Sequence, residues 1–352
     1  DKDLTWTILT NANLENTILT NTILNCVGNS VCSTMNLNDM TLKGANLANA
    51  NLDGVDLKGK DLTGTILKGA DLSNKDLTGT ILKGADLTDA KLPIISLSEK
   101  NFQKTIFDEL DLSGKNLSKS SLWYASFKNT NLKNTNLSQA DLMKTDLTKI
   151  KNKSLAGANL ENTSFMLSDL SGVNLSDTIL AGTSFLRTNL SDVDFTVTSN
   201  IPNGVVFIKA TLTNSNFEGV TLSPADVFTS DFENARAKIE GGSFSDSSLL
   251  RELYGREYVN GVGYIGFDNI HIISTEVRGD DLTVRFIFFN TFAHANLENA
   301  NFKNADLLLV NFHSANLTNA DLSGADLSKA YLSNADLSNA NLSGANLNGA
   351  TL

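Results

Sequence analysis

Every fifth residue of this chain is large and apolar over long stretches. Between positions 37 and 147 a Leu or Phe occupies all 23 fifth positions, among them Leu37, Leu62, Phe102 and Leu147. A helix repeats every 3.6 residues and a strand every 2, so neither holds a five-residue stripe on one side. The residue two places earlier is usually small, as at Ala45, Thr65, Ala70, Thr80 and Ala85. The stretch 60–89, KDLTGTILKGADLSNKDLTGTILKGADLTD, repeats thirteen residues verbatim at an offset of fifteen. Leu, Asn, Asp, Ser, Thr and Ala dominate a narrow alphabet, which points to one small unit stacked many times.

The unit reads A(D/N)LXX and is cleanest in ANLTNADLSGADLSKAYLSNADLSNANLSGANLNGATL. In this it resembles the pentapeptide-repeat family, and the resemblance covers nearly the whole chain. It implies an all-β fold, a right-handed quadrilateral parallel β-helix with one pentapeptide per side. The central Leu or Phe and the small residue two before it point inward, and the other three positions face solvent. The physics agrees: short strands stacked coil on coil pair their backbones ~4.8 Å above and below. The large residue then fills the axis, and the small one leaves room for it. The frame runs through 4–24, 37–147, 155–195, 207–232, 239–249 and 262–352, giving 65 units. That predicts about 16 coils and a rod ~80 Å long. The expected organisation is first coils at 1–24, a Cys-containing interruption at 25–36 and a regular β-helix at 37–195 that slips near 148–152. An irregular segment at 196–261, able to bend the rod or host a lobe, precedes a C-terminal β-helix at 262–352. Of 18 Phe, 14 are central; the pairs Phe107/Phe127, Phe165/Phe185 and Phe292/Phe312 are expected to stack one coil apart.

No chemistry-bearing constellation stands out. His271, His294 and His313 lie far from Cys or acids at metal-ligand spacing, and no nucleophile elbow, phosphate loop or paired carboxylates appear. The Asp residues precede central leucines, where they read as turn-forming, solvated groups. No enzyme activity and no cofactor are expected. Four lysines, Lys60, Lys75, Lys100 and Lys115, occupy the inward small slot. A buried unpaired ammonium is costly, so each stem is expected to pass the corner and deliver its head to solvent; internal pairing with an acid, or a cross-link to Asp or Asn, is the alternative. Outward isoleucines (Ile8, Ile18, Ile23, Ile66, Ile81, Ile106 and Ile179) would mark a lateral surface only if clustered. Trp123 and Tyr124 are predicted outward, and Tyr254, Tyr258 and Tyr264 fall in the break LYGREYVNGVGYIGF; these aromatics are the candidate partner contacts. Arg278-Gly279-Asp280 falls within the repeat frame, and Asn-X-Ser/Thr sequons such as those at Asn116, Asn136 and Asn341 follow automatically from the motif.

The formal net charge is −11, split between +1 over 1–153 and −12 over 154–352. That balance disfavours direct nucleic-acid binding, and no apolar run is long enough to span a membrane. The chain starts at Asp1 without Met or a signal-peptide core, read here as processing of an exported, extracellular or surface protein. Cys26 and Cys32 could then close a small disulfide loop, or remain two unrelated thiols. The repeat frame runs from Leu4 to Leu352 with no cap. Bare solenoid ends expose strand edges and an apolar cross-section. The first reading is therefore a structural rod that polymerises head to tail, with Leu4, Trp6 and Leu9 meeting Leu337, Leu342, Leu347 and Leu352. The resemblance implies a second: a cytoplasmic DNA mimic that binds a type II topoisomerase such as gyrase through an acidic rod. A third is a monomeric protein-binding scaffold.

Overall fold

The computed structural model describes residues 42–50, 52, 55–93, 97–198, 201, 205–222 and 291–352, with the backbone of 270–278 and 281–288. Leu4, Trp6, Leu9, Cys26, Cys32, Tyr254, Tyr258 and Tyr264 lie outside the described residues. The chain divides into two compact units, Asp1–Asn159 and Leu160–Leu352.

Each pentapeptide is one β-turn followed by one bridge residue. The slot N–H donates to the preceding central carbonyl, as from Ala45 to Leu42 at 3.0 Å and from Ala70 to Leu67 at 2.9 Å. The residue two after the centre has positive φ, for example Gly64 at 68°, Asn129 at 55° and Asn319 at 59°. That combination defines a type II turn, which favours Gly or Asn at this place. The Asp or Asn before the centre closes an Asx-turn: the Thr63 N–H donates to Asp61 Oδ1 and the Ser323 N–H to Asp321 Oδ1, both at 2.9 Å. The five-residue period is thus the length of one corner plus one short side.

In unit 1 the bridges are parallel and join residues 20 apart, as in Asn46↔Ile66↔Asp86↔Ile106↔Ser126. Four turns per such step make a four-sided coil. The slip expected near 148–152 is a 3₁₀ turn at Lys151–Lys153, which lengthens the next step so that Asn136 bridges Asn159.

Unit 2 repeats the pattern with two departures. Ser184 bridges Val206, a step lengthened by two residues; then Val206, Thr211, Asn216 and Thr221 bridge Thr291, Asn296, Asn301 and Asp306. The coil at 206–221 is therefore paired directly with the coil at 291–306. This corrects the expectation that the regular frame resumes at 262. Two strands, β1 (Ile270–Arg278) and β2 (Asp281–Phe288), instead pair antiparallel, from Ile270↔Phe288 to Arg278↔Asp281. Ile272, Val277, Leu282 and Ile287 keep the five-residue spacing by coincidence, within runs rich in β-branched and aromatic residues. Arg278 closes β1, so the arginine of the Arg-Gly-Asp tripeptide lies on a strand and not on a coil side; Gly279 and Asp280 lie outside the described residues.

The core is the axis of the coils. Leu62, Leu67, Leu72, Leu77, Phe102, Phe107, Phe165 and Phe302 are 0 % exposed. The three expected ring pairs stack, with centroids 5.3, 5.4 and 5.2 Å apart. In unit 2 they belong to a longer ladder, Phe165–Phe185–Phe207–Phe292–Phe312, that continues across the long insertion at 4.7 Å between Phe207 and Phe292. A second ladder, Phe195–Phe217–Phe302, meets the first edge to face.

A candidate interaction face

Many inward polar groups are satisfied by the backbone of the neighbouring coil, while Thr145, Thr178, Thr198 and Ser215 donate to the central carbonyl three residues back in their own turn. The hydroxyls of Thr65, Thr80, Thr105, Thr130 and Thr135 donate to the carbonyls of Leu42, Leu57, Leu82, Phe107 and Leu112, 23 residues back, at 2.7–3.0 Å. Slot lysines use the same acceptors. Lys75 Nζ donates to Leu52 O at 2.6 Å and Val55 O at 3.3 Å, Lys100 Nζ to Leu77 O at 2.6 Å, and Lys115 Nζ to Pro93 O at 3.0 Å. Lys60 is only 7 % exposed. The heads of Lys75, Lys100 and Lys115 therefore end on carbonyl oxygens rather than in solvent, which corrects the expected geometry. Burial lowers the Lys100 pKa, opposed by the charge of Asp76.

Outward residues are sorted by side of the coil. In unit 1 the ion pairs among described residues are Lys58–Asp76 at 3.4 Å, Lys91–Asp71 at 3.1 Å, Lys119–Glu99 at 3.3 Å and Lys149–Asp146 at 2.8 Å. None lies on the side whose centres are Leu42, Leu62, Leu82, Phe102, Leu122 and Leu142. That side, the Leu122 face, presents exposed Lys43, Lys83, Lys104 and Lys144. Trp123 and Tyr124 sit among them, as predicted outward; Tyr124 is 48 % exposed and Trp123 half-buried. The ladder stacks Lys104, Tyr124 and Lys144 directly, because the Lys104 N–H donates to Trp123 O at 2.7 Å and the Tyr124 N–H to Met143 O at 3.1 Å. Lys144 Nζ reaches the Tyr124 hydroxyl at 2.8 Å and lies 5.2 Å from its ring centre, a cation–π contact.

Two acids share this face and both accept backbone N–H groups; the exposed Asp61 carboxyl is lowered by the Thr63 hydroxyl and N–H, with help from the charge of Lys43. Asp61 accepts from the Thr63 N–H and Asp141 from the Met143 N–H. Burial pushes the Asp141 carboxyl above its usual range, opposed by the indole of Trp123 and by the Met143 N–H. The buried Trp123 Nε1–H lies close enough to oppose that shift yet makes no hydrogen bond. The face is thus flat, aromatic and cationic, suited to apolar and acidic groups. Ile81 is exposed here, Ile66 and Ile106 sit half-buried on the adjacent side, and Ile179 is exposed in unit 2, so the described outward isoleucines form no single cluster.

Unit 2 reverses the sign. The sides centred on Leu170 and Leu175 are adjacent. They carry Asp169, Asp192, Glu298 and Asp336, and Asp177, Asp194, Glu218 and Asp321. The one described cation on these two sides, Lys303, lies 3.9 Å from Glu218. The side centred on Phe185 holds no acid among its described residues and brings His294 and His313 together, ring centres 5.5 Å apart. Nineteen residues separate these histidines in the sequence, close to one coil, which is why they looked scattered. Among the described residues no group of three or more His, Cys, Asp or Glu could hold a metal ion, and no helix is long and apolar enough to cross a membrane. Of the predicted end residues, Leu337 and Leu342 are half-buried, Leu347 is 36 % and Leu352 79 % exposed.

The family profile described as pentapeptide repeats matches eight copies, over residues 2–27, 33–59, 61–92, 111–148, 168–196, 291–328 and 315–352. A search of curated proteins returns no match. Among solved structures the chain is similar to HetL, a pentapeptide-repeat protein involved in regulating heterocyst differentiation in the cyanobacterium Nostoc. The identity is 22 % over 72 % of this chain and 86 % of that one, with a TM-score of 0.32. It is also similar to full-length QnrB1, a plasmid-mediated fluoroquinolone resistance protein, at 14 % identity over 70 % and 93 % of the two chains and a TM-score of 0.25. With its repeats matched over more than half of its length, the chain belongs to the pentapeptide-repeat family.

Proposed function

We propose that this protein is a non-enzymatic interaction scaffold whose partner docks on the Leu122 face. The observation that carries the reading is the placement of Lys43, Lys83, Lys104 and Lys144 around Trp123 and Tyr124, on the one side of unit 1 without a described ion pair. Aromatic residues ringed by cations are common binding anchors, and a rigid coil holds them in place before binding. The test is affinity capture from source-cell extract with the wild type, a Trp123→Ser/Tyr124→Ser variant and a Lys91→Glu control on another side. Selective loss of captured proteins in the first variant, at unchanged thermal stability, is expected; equal capture by all three contradicts the reading.

A second reading is head-to-tail stacking. The inward leucines Leu337, Leu342, Leu347 and Leu352 line a rim whose last members are exposed, and a further coil would cover them. Under it, sedimentation velocity finds polymers that Leu347→Asp abolishes; a monomer at every concentration contradicts it. Export to the cell surface goes with this reading, and the precursor's N-terminus tests it. The topoisomerase reading instead draws on the acidic Leu170 and Leu175 sides, and a gyrase supercoiling assay decides it.

A further inference from the structure

We propose that the occupant of the Leu122 face is a second copy of this chain, which presents the Leu175 side of its unit 2. This rests on the scaffold reading above and names its partner. Opposite charge is the first argument: one surface gathers lysines without described ion pairs, and the other gathers carboxylates with a single cation at 3.9 Å. Commensurate spacing is the second. Both surfaces are built from coils of about the same rise, ~4.8 Å, so charges placed at equal coil intervals fall into register along the contact.

The intervals match. Lys104 and Lys144 are two coils apart with Tyr124 in the coil between them. Asp177 and Val197, the latter 42 % exposed, both stand two after their centres on the Leu175 side, and Glu218, one after its centre, lies two coils from Asp177 and one position to the side. A cation–aromatic–cation row thus faces acid, apolar and acid groups at the same coil intervals, ~9.6 Å along the axis. Tyr124 covers Val197, and each ammonium meets a carboxylate. The two rows lie in different units of the chain, so every copy carries both halves of the contact and association can continue from copy to copy.

Sedimentation velocity of the full chain in low and high salt tests this. Association in 50 mM NaCl, weakened tenfold or more in 500 mM NaCl, is expected. Lys104→Glu/Lys144→Glu alone and Asp177→Lys/Glu218→Lys alone should each remain monomeric. An equimolar mixture of the two variants should associate and extend in alternation, since the unaltered halves pair with each other and so do the charge-reversed halves. The chain carrying all four substitutions should associate again. Association that ignores these charges, or that Leu347→Asp abolishes, overturns the proposal, as does failure of the mixture to pair. If the wild type stays monomeric while the Trp123→Ser/Tyr124→Ser variant loses captured proteins, self-docking is wrong and the scaffold reading stands. If neither surface affects association or capture, both fall.

Discussion

Lysine fits a slot otherwise held by Ala or Thr because the neighbouring coil supplies an acceptor. Lys100 Nζ and the Thr105 hydroxyl each end on a carbonyl 23 residues back. Lys100→Thr should therefore keep its partner and change the urea midpoint little. Lys100→Ala removes the second donor of the Leu77 carbonyl, which keeps the Thr80 N–H at 3.0 Å, and should lose about 0.5–1.5 kcal/mol. The slot was legible in the sequence as a spacing, but the acceptor was not, since it exists only once the coil has closed. The aspartates before the centres give a pH signature. Asp71 is lowered to about 2 by the Ser73 hydroxyl and N–H and by Lys91, and Asp111, Asp321 and Asp336 are lowered chiefly by Ser113, Ser323 and Ser338. A carboxyl held lower in the folded state contributes stability that is full above its unfolded value near 4 and is lost as pH falls through the folded value. Thermal melts should be nearly level from pH 7 to 5 and drop between pH 4 and 2. Asp71→Asn keeps the turn acceptor and should soften that drop; a melting curve unchanged at pH 2 contradicts the account.

The phenylalanine ladders carry the packing of unit 2. Phe207 stacks on Phe185 and Phe292 and meets Phe195 and Phe217 edge to face. Phe207→Ala should cost about 3–5 kcal/mol by denaturant unfolding, and Phe207→Leu, which keeps most of the buried volume but loses the ring contacts, should cost less. Two of these ring pairs, Phe165–Phe185 and Phe292–Phe312, could be read from positions 20 apart. The Phe207–Phe292 pair could not, because 85 residues separate it. The hairpin of β1 and β2 was missed for a related reason: its apolar residues satisfy the five-residue count, while only Val277 among them has both a small residue two before (Thr275) and a Gly or Asn two after (Gly279). Trp123 and Tyr124 were legible as outward residues. Their setting was not, since lysines from four coils gather only when the chain is wound.

The pairing of 206–221 with 291–306 has a consequence for the molecule as a whole. The step of 85 residues exceeds one coil of 20 by 65, a whole number of pentapeptides. Deleting 226–290 together with Pro224→Gly joins Ala225 to Thr291 and writes LSGATF, which restores a five-residue spacing between Leu222 and Phe292 with Ala in the slot and glycine at the positive-φ turn position that proline cannot adopt. This shortened chain should fold, melt within a few degrees of the parent by circular dichroism and keep the partner contact of the Leu122 face; an unfolded product contradicts the direct stacking of the two coils. The central claim is that winding sorts the chain's chemistry by side, leaving one cationic, aromatic face in unit 1 as the contact surface. Lysine acylation read by mass spectrometry on dilute and concentrated full-length protein tests it most directly. Lys43, Lys83, Lys104 and Lys144 should lose reactivity together on association, while Lys58, Lys91 and Lys119 should not change. Protection spread evenly over all of these lysines, or confined to the ion-paired ones, would contradict the account.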